Sequence, residues 1–282
     1  MNLVSVAKRD LTSISRSRAV WAAGVVLTLF VALVAYTIRG YQLSATESVT
    51  NIFQTLAFTL GLILPIVALL ASYLAIAGER RSGGIKFLLS VPNTRRDVFV
   101  GKLASRLTLL GVGLGVAFLT AASIALTRFG AFPLGTIGGL FVVSLVYGAA
   151  FVCVGVALSA AFATRSRAIA GAFGLYFVLV MSFVAIRITD LLRMVHENVL
   201  GFEATPNLYD GLTHLSPYIA YQKATNLVFP PDQQTVVFRR AAEANAELPV
   251  YLTDEFSLVV LALWVAVPLA LGYRRFDRAD LE

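Results

Sequence analysis

Six apolar runs, each about as long as a bilayer is thick, constrain this chain more than any other feature of its sequence. A helix needs about 20 apolar residues to cross the hydrocarbon core of a membrane. Charged residues make up only 14% of the 282-residue chain, against about 25% in soluble domains. The sequence therefore predicts an all-α integral membrane protein, not a soluble enzyme. The predicted transmembrane spans are residues 19–38, 51–77, 103–127, 134–162, 168–188 and 256–273.

The distribution of Lys and Arg predicts which way these spans run. Connections on the cytoplasmic side carry an excess of basic residues. Such an excess occurs before the first span, in 78–102, in 163–167 and after the last span, whereas the other short connections contain only Arg39 and Arg128. Both termini are therefore expected in the cytoplasm. The larger segment 189–255 is expected outside, because long segments are translocated largely regardless of charge.

The net charge of +7 raises the question of a nucleic-acid partner. The basic residues lie at the ends of apolar runs and do not form one clustered face, so membrane topology explains them and no nucleic acid is expected. The single cysteine, Cys153, lies inside an apolar run and is expected to be a small core residue.

The first 18 residues predict an amphipathic helix that lies along the inner membrane surface. Its apolar stripe consists of Leu3, Ala7, Leu11 and Ile14. Its polar residues Lys8, Arg9, Asp10 and Ser13 lie away from that stripe, as in helices that lie along a membrane surface instead of crossing it. A cleaved signal peptide is the competing interpretation, but the charged region is long for one and no small-residue cleavage site follows.

The segment 78–102, between the second and third spans, has the most distinctive local chemistry. Its basic residues outnumber its acidic residues by six to two. Gly83 permits a sharp turn, residues 85–91 form a short amphipathic stretch, and Pro92 ends it. The apolar side chains of that stretch predict a segment that packs on the surface of another protein.

Two further features flank this segment. Asn93 or Thr94 is placed to cap a helix that begins near Arg95. Pro65, midway along the second span, is expected to kink or loosen its helix. Because that helix leads into 78–102, Pro65 is a candidate hinge.

The order of residues in 78–102 also follows a known pattern. A glutamate ends a membrane helix, and a basic pair, Ser-Gly-Gly, an apolar turn closed by proline, Arg-Arg and Gly-Lys come after it. This order resembles the permease subunits of ABC transporters of the type-2 exporter class. The hydropathy of most of the chain is similar too, and within the class it is similar to the branch that includes the permease of the nitrous-oxide-reductase maturation system.

The resemblance implies a permease in the cell membrane that works as a pair of copies, expected to be a homodimer, with a separate ABC ATPase subunit. ATP and Mg²⁺ would be bound by that ATPase, and no cofactor is expected in this chain. Residues 85–91 would insert into a groove of the ATPase, ringed by Arg95 and Arg96. The residues implied in coupling are Glu79, Arg80, Arg81, Gly83, Ile85, Phe87, Leu88, Pro92, Arg95, Arg96 and Lys102.

The chain lacks the motifs that would let it power transport or catalyse a reaction alone. It has no GxxxxGK[ST] phosphate-binding loop. The six predicted spans contain no Asp or Glu, whereas proton and cation relays use intramembrane acids. A membrane-embedded lipid enzyme, the less favoured alternative, would need clustered acids or histidines at a bilayer surface.

The external segment 189–255 supports several hypotheses. Residues 191–199 and 235–247 have helical patterns, and 215–221, with Pro217 and two tyrosines, are expected to dip back toward the membrane. The segment could gate an exit path, cap the helix ends, or recruit an external partner, in which case the chain would be a membrane anchor. His196 and His214 lie there near Glu197, Glu203 and Asp210, but their spacing matches no known metal site.

Overall fold

The computed structural model describes residues 3–38, 43–78, 94–162, 164–203, 206–234 and 249–278, and these ranges contain helices and no strand. The α-helices are α1 (Leu3–Ser15), α2 (Arg18–Thr37), α3 (Ala45–Ser72), α4 (Arg95–Phe129), α5 (Leu134–Ala161), α6 (Arg165–Tyr176), α7 (Ile188–Met194), α8 (Pro206–His214), α9 (Pro217–Asn226) and α10 (Phe256–Asp277). α6 continues as a π-helix over Phe177–Ile186, and α7 continues as a π-helical turn over Val195–Val199.

Six helices in the described ranges are long and apolar enough to cross a membrane, and they confirm the six-span, all-α prediction. They are α2, α3, α4, α5, α6 with its π-helical continuation, and α10. α1 and the last turn of α10 both contact the start of α4. Both described ends of the chain therefore lie at one end of the bundle. We call this the loop end, because residues 79–93 connect α3 to α4 there.

α5 forms the centre of the bundle and packs most extensively against α10 and α3. It is apolar around its whole circumference, as expected for a helix surrounded by others. Small residues let its neighbours approach closely: a Cβ at Gly155 would collide with the Ser72 hydroxyl on α3, and one at Gly272 of α10 would lie 2.7 Å from the Ala157 Cα.

α3 starts earlier than its apolar run predicts. Ser44 and Glu47 form a capping box, in which Glu47 N–H donates to Ser44 Oγ at 3.3 Å and Ser44 N–H donates to Glu47 Oε2 at 2.8 Å. This pair satisfies two of the N–H groups that a helix start leaves without partners. The helix consequently begins at Ala45 and extends beyond the apolar run at the end opposite to the loop end.

The described part of the external segment returns into the bundle. Nearly every residue of α9 is buried, and α9 packs against α3, α5 and α10. Three hydrogen bonds connect this region to spanning helices: Tyr221 with Ser144, Ser216 with Leu179, and Leu215 with Trp264. Each spanning-helix partner lies roughly two to three turns inside its helix, about 10–15 Å from the helix end. Residues 215–221, for which a dip toward the membrane interface is predicted, pack among the spanning helices, and the helix predicted for 235–247 lies outside the described residues.

The close approach of α10 to α5 gives a first prediction. Gly272→Ala places a methyl group 2.8 Å from the Ala157 Cβ and should lower the free energy of unfolding by about 1–3 kcal/mol. The measurement is denaturant unfolding of the detergent-solubilised protein. Gly113→Ala is the matched control, because no atom lies within 4 Å of its new Cβ, and it should be neutral or stabilising. Equal stability of both variants would contradict the packing.

Candidate coupling site at the loop end of the bundle

The chain enters α4 through a capping box. Thr94 Oγ1 accepts the N–H of Asp97 at 3.1 Å, and the Asp97 carboxylate accepts the N–H of Thr94 at 3.0 Å. Of the two predicted caps, Thr94 is therefore the one that the structure uses. The box fixes the point at which the chain leaves residues 79–93 and becomes helical.

Arg95 joins the start of α4 to the end of α10. Its guanidinium donates to the carbonyl oxygens of Phe276 at 3.1 Å and Asp277 at 2.6 Å. The last carbonyls of a helix have no helical donor, and a positive charge there also complements the helix dipole. Phe276 is fully buried, with its ring 6.1 Å from that of Phe99 on α4. Arg95 thus has a partner within the chain, whereas Arg96 is exposed.

A direct contact between Lys102 and a partner would require an exposed side chain, but Lys102 is buried. Its ammonium is 2.9 Å from the Asp10 carboxylate, and its side chain is only 2% exposed. The same carboxylate accepts a short hydrogen bond from the Ser105 hydroxyl and lies 3.5 Å from the Arg106 guanidinium. α1 and α4 are therefore held together by a buried ion cluster, which we define as Asp10, Lys102, Ser105 and Arg106.

This cluster adds a buried polar contact to the amphipathic helix predicted for α1. Asp10 lies away from the predicted apolar stripe, yet it is only 8% exposed and shares a buried face with Val6 and Ile14. Two cations on α4, Lys102 and Arg106, lie beside its carboxylate there. α1 also lies directly on Gly101 of α4, where a Cβ would be 2.9 Å from Val6 Cγ1.

The chain leaving α3 is attached to the end of α5. Ser159 Oγ accepts the N–H groups of Ile76 and Ala77, each at 2.9 Å, and Ser159 is fully buried. These amides follow the last regular turn of α3, so they need an acceptor within the protein. Both sides of the connection 79–93 therefore start from fixed points.

Pro65 interrupts α3, and side chains from other helices close the interruption. Proline has no N–H, so the carbonyl of Gly61 loses its helical donor. The Tyr147 hydroxyl of α5 donates to that carbonyl at 2.7 Å. The Tyr176 hydroxyl of α6 donates to the next carbonyl, that of Leu62, at 3.2 Å. At this point α3 is therefore hydrogen-bonded to α5 through Tyr147 and to α6 through Tyr176.

α9 contacts α3 at the same place. A Cβ at Gly61 would lie 2.7 Å from Gln222 Nε2 and 2.9 Å from a ring carbon of Tyr218, so a larger residue would force these side chains to shift. The Tyr221 ring stacks on Tyr147, with centroids 4.3 Å apart and ring planes 12° apart. α9 and the Pro65 interruption therefore share one contact region.

The remaining predicted coupling residues lie outside the described residues, and their role stays a prediction. They are Glu79, Arg80, Arg81, Gly83, Ile85, Phe87, Leu88 and Pro92. The cluster around Asp10, the Tyr147 donor and the Ser159 acceptor were not found from the sequence. A tyrosine and a serine inside apolar runs are a weak sequence signal for such a role. The sequence does not show which backbone groups they bind.

The two histidines of segment 189–255 make ring-stacking and hydrogen-bond contacts within the chain. His196 stacks on Phe202 with centroids 5.0 Å apart, and His214 Nδ1 is 2.8 Å from the Tyr251 carbonyl oxygen. Burial lowers the pKa of His214, which favours its neutral form. Among the residues that the structure describes, no group of three His, Cys, Asp or Glu side chains could hold a metal ion.

The ion cluster gives a second prediction. Asp10→Asn removes the negative charge beside the buried Lys102 and the half-buried Arg106 and should lower the free energy of unfolding by about 3–5 kcal/mol, measured by denaturant unfolding. Asp190→Asn, which breaks the exposed pair with Arg187, is the matched control and should change it by less than about 1 kcal/mol. Adding Lys102→Met to Asp10→Asn should restore part of the loss. Similar effects of both Asp→Asn variants would refute the cluster.

The Pro65 interruption gives a third prediction, in the form of a double-mutant cycle. Tyr147→Phe removes the donor to Gly61 and should destabilise the protein by about 1–3 kcal/mol. Pro65→Ala restores a helical N–H to that carbonyl, so Tyr147→Phe should cost less in this background, with an interaction energy of about 1 kcal/mol. If the effects of Tyr147→Phe and Pro65→Ala on the free energy of unfolding simply add, Tyr147 does not compensate for the N–H group that Pro65 lacks.

Comparison with known proteins agrees with this architecture. Residues 4–281 match the family model described as ABC-2 family transporter protein. The chain is 28% identical over 286 residues to the probable ABC transporter permease protein NosY of Pseudomonas aeruginosa, with 98% of each chain covered. It is 27% identical over 287 residues to the protein of the same name from Stutzerimonas stutzeri, with 99% of each covered.

The family match extends over nearly the whole chain and coincides with the six spanning helices. These findings indicate a multi-pass protein of the cell membrane and a permease subunit of an ABC transporter. The chain belongs to the ABC-2 family of transporter proteins.

Proposed function

We propose that this chain is the permease subunit of an ATP-driven exporter, coupled through residues 78–102 to a separate ATPase at a cytoplasmic loop end. Two copies would form the translocation path between them, and the ATPase would bind ATP and Mg²⁺. The family and the permease relatives support a transport subunit. The basic residues at the loop end support the orientation.

The observation that carries the proposal is the attachment of both sides of the connection 79–93. On the α3 side, Ser159 links the chain to α5. On the α4 side, Arg95 links it to α10, and the ion cluster links it to α1. A displacement of residues 79–93 would therefore reach several helices through packed, hydrogen-bonded contacts.

Space around α3 supports Pro65 as the hinge. Beyond Pro65, a cavity of about 200 Å³ lies between α3 and α6, and another of about 240 Å³ lies between α2, α3 and α4. Leu70 and Tyr73 line both cavities. The half of α3 before Pro65 is packed against α9 at Gly61. The half nearer the loop end therefore has space beside it toward α2 and α6, and contacts at Ser72 and Ser159 keep its end on α5.

In the proposed cycle, these contacts transmit the movement. ATP binding closes the paired ATPases and moves the two connections at the loop end. α3 bends at Pro65 while Tyr147 and Tyr176 keep its carbonyl groups hydrogen-bonded. α4 and α10 tilt with Arg95, and the path between the two copies opens outward.

The fourth prediction tests the proposed coupling. Phe87→Asp combined with Leu88→Asp should reduce ATP hydrolysis by the assembled complex to the level of the ATPase alone, because charged side chains would not enter an apolar groove. The complex is isolated by copurification of this chain with its ATPase subunit, and hydrolysis is measured in proteoliposomes. Membrane insertion should be unchanged.

Leu43→Asp is the matched control. Leu43 is an exposed apolar residue that precedes α3 at the end opposite to the loop end. Hydrolysis by the control complex should stay close to that of the wild type. Wild-type hydrolysis by the Phe87, Leu88 variant, or the failure of any ATPase to copurify, would contradict the proposed function.

A further inference from the structure

α9 carries polar side chains into the bundle, so its position depends on the partners that they find there. Gln222, Lys223 and Asn226 are only 5–7% exposed, although a lysine is almost never buried unless it is paired. The helix packs against three spanning helices, α3, α5 and α10. Burial of apolar surface alone would not hold a helix of this composition, because each buried polar group costs free energy unless it has a partner.

The two sides of α9 find their partners in different parts of the bundle. On the aromatic side, Tyr221 stacks on Tyr147 of α5 and shares a hydrogen bond of 2.9 Å with Ser144. Lys223 and Asn226 are three residues apart and therefore lie on one face of the helix. This second face is directed toward the residues that lead into α10.

Asp254, two residues before α10, receives both polar groups of that face. The Lys223 ammonium lies 2.7 Å from Asp254 Oδ1, and Asn226 Nδ2 donates to Asp254 Oδ2 at 3.2 Å. The lysine side chain is 6% exposed and the aspartate side chain 28%. Removal of one partner of a buried ion pair is strongly destabilising, because the other charge stays in a medium that solvates it poorly. One carboxylate therefore joins α9 to the start of α10.

The surroundings of this contact are not densely packed. A cavity of about 510 Å³ borders Lys223, Asn226 and Asp254, and it is also lined by Gln234 and Glu255. On this side, space instead of apolar side chains lies next to α9. The position of the helix here therefore depends on the polar contacts more than on its shape.

We propose that Asp254 is a positioning residue for α9, and that its contact with Lys223 and Asn226, which we call the α9 lock, keeps this helix within the bundle. Without the carboxylate, the Lys223 ammonium favours a position nearer to water, and α9 moves outward with it. Because Asp254 directly precedes α10, the tilt of α10 in the export cycle would pull on the α9 lock. That last step alone rests on the proposed function.

Cysteine protection tests the α9 lock in the protein alone, reconstituted into phosphatidylcholine nanodiscs. In a Cys153→Ala background, Thr225→Cys reports on α9, and Thr50→Cys reports on α3 at the same end of the bundle. Both threonines are only 1–2% exposed, and both hydroxyls donate to a carbonyl of their own helix. The rate of reaction with a negatively charged, water-soluble maleimide is measured for each cysteine.

Asp254→Asn should raise the labelling rate of Thr225→Cys by at least about tenfold, because breaking a buried ion pair shifts an equilibrium by more than this factor. Labelling of Thr50→Cys should not change. Glu255→Gln is the matched control at the neighbouring, exposed acid and should have no effect. Adding Lys223→Met to Asp254→Asn removes the buried charge and should restore most of the protection of Thr225→Cys.

Protection of Thr225→Cys in the Asp254→Asn variant would overturn the proposal, because Lys223 would then keep its place without this carboxylate. Equal labelling of Thr50→Cys, or loss of the folded protein, would overturn it by showing that the pair supports the whole bundle. Fast labelling that persists after Lys223→Met is added would contradict the role of the ion pair. No ATPase is present, so this result is separate from the test of coupling.

Discussion

A helix that ends or breaks inside a membrane leaves backbone groups that water cannot reach, and each such group needs a partner within the protein. Among the described residues, side chains from neighbouring helices supply several of these partners. Tyr147 donates to the carbonyl that Pro65 leaves open, and Ser159 accepts the amides that follow α3. Arg95 and Arg128, at the two ends of α4, bind the last carbonyls of α10 and α2. The hydrogen bonds that complete the helices are therefore also the links between them.

These links define how a movement at the loop end would be distributed. α4 is joined to α10 and α1 where it begins and to α2 where it ends, so it cannot move alone. α3 is attached to α5 at its end, but it has cavities beside it beyond Pro65. We therefore expect rigid tilting of α4 and bending of α3.

The features set by local chemistry could be predicted from the sequence, and those set by distant partners could not. The six spans follow from apolar length, and the cap at Thr94 follows from its three-residue spacing to Asp97. The burial of Asp10 could not be predicted, because the apolar stripe of α1 says nothing of Lys102, whose ammonium lies beside the Asp10 carboxylate. α9 has a polar sequence typical of an external segment, yet it is buried because Ser144 and Asp254 satisfy its Tyr221 and Lys223.

The most direct test of bending at Pro65 is a pair of distances between spin labels on one chain, measured in the complex with the ATPase. In a Cys153→Ala background, one label is attached at Val142→Cys on α5. The second label is attached either at Phe58→Cys, before Pro65, or at Leu70→Cys, beyond it. All three positions are exposed. Labelled copies are diluted with unlabelled ones to remove distances between copies. A non-hydrolysable ATP analogue should change the Leu70–Val142 distance and leave the Phe58–Val142 distance unchanged. Equal changes in both distances, or no change in either, would contradict a hinge at Pro65 driven from the loop end.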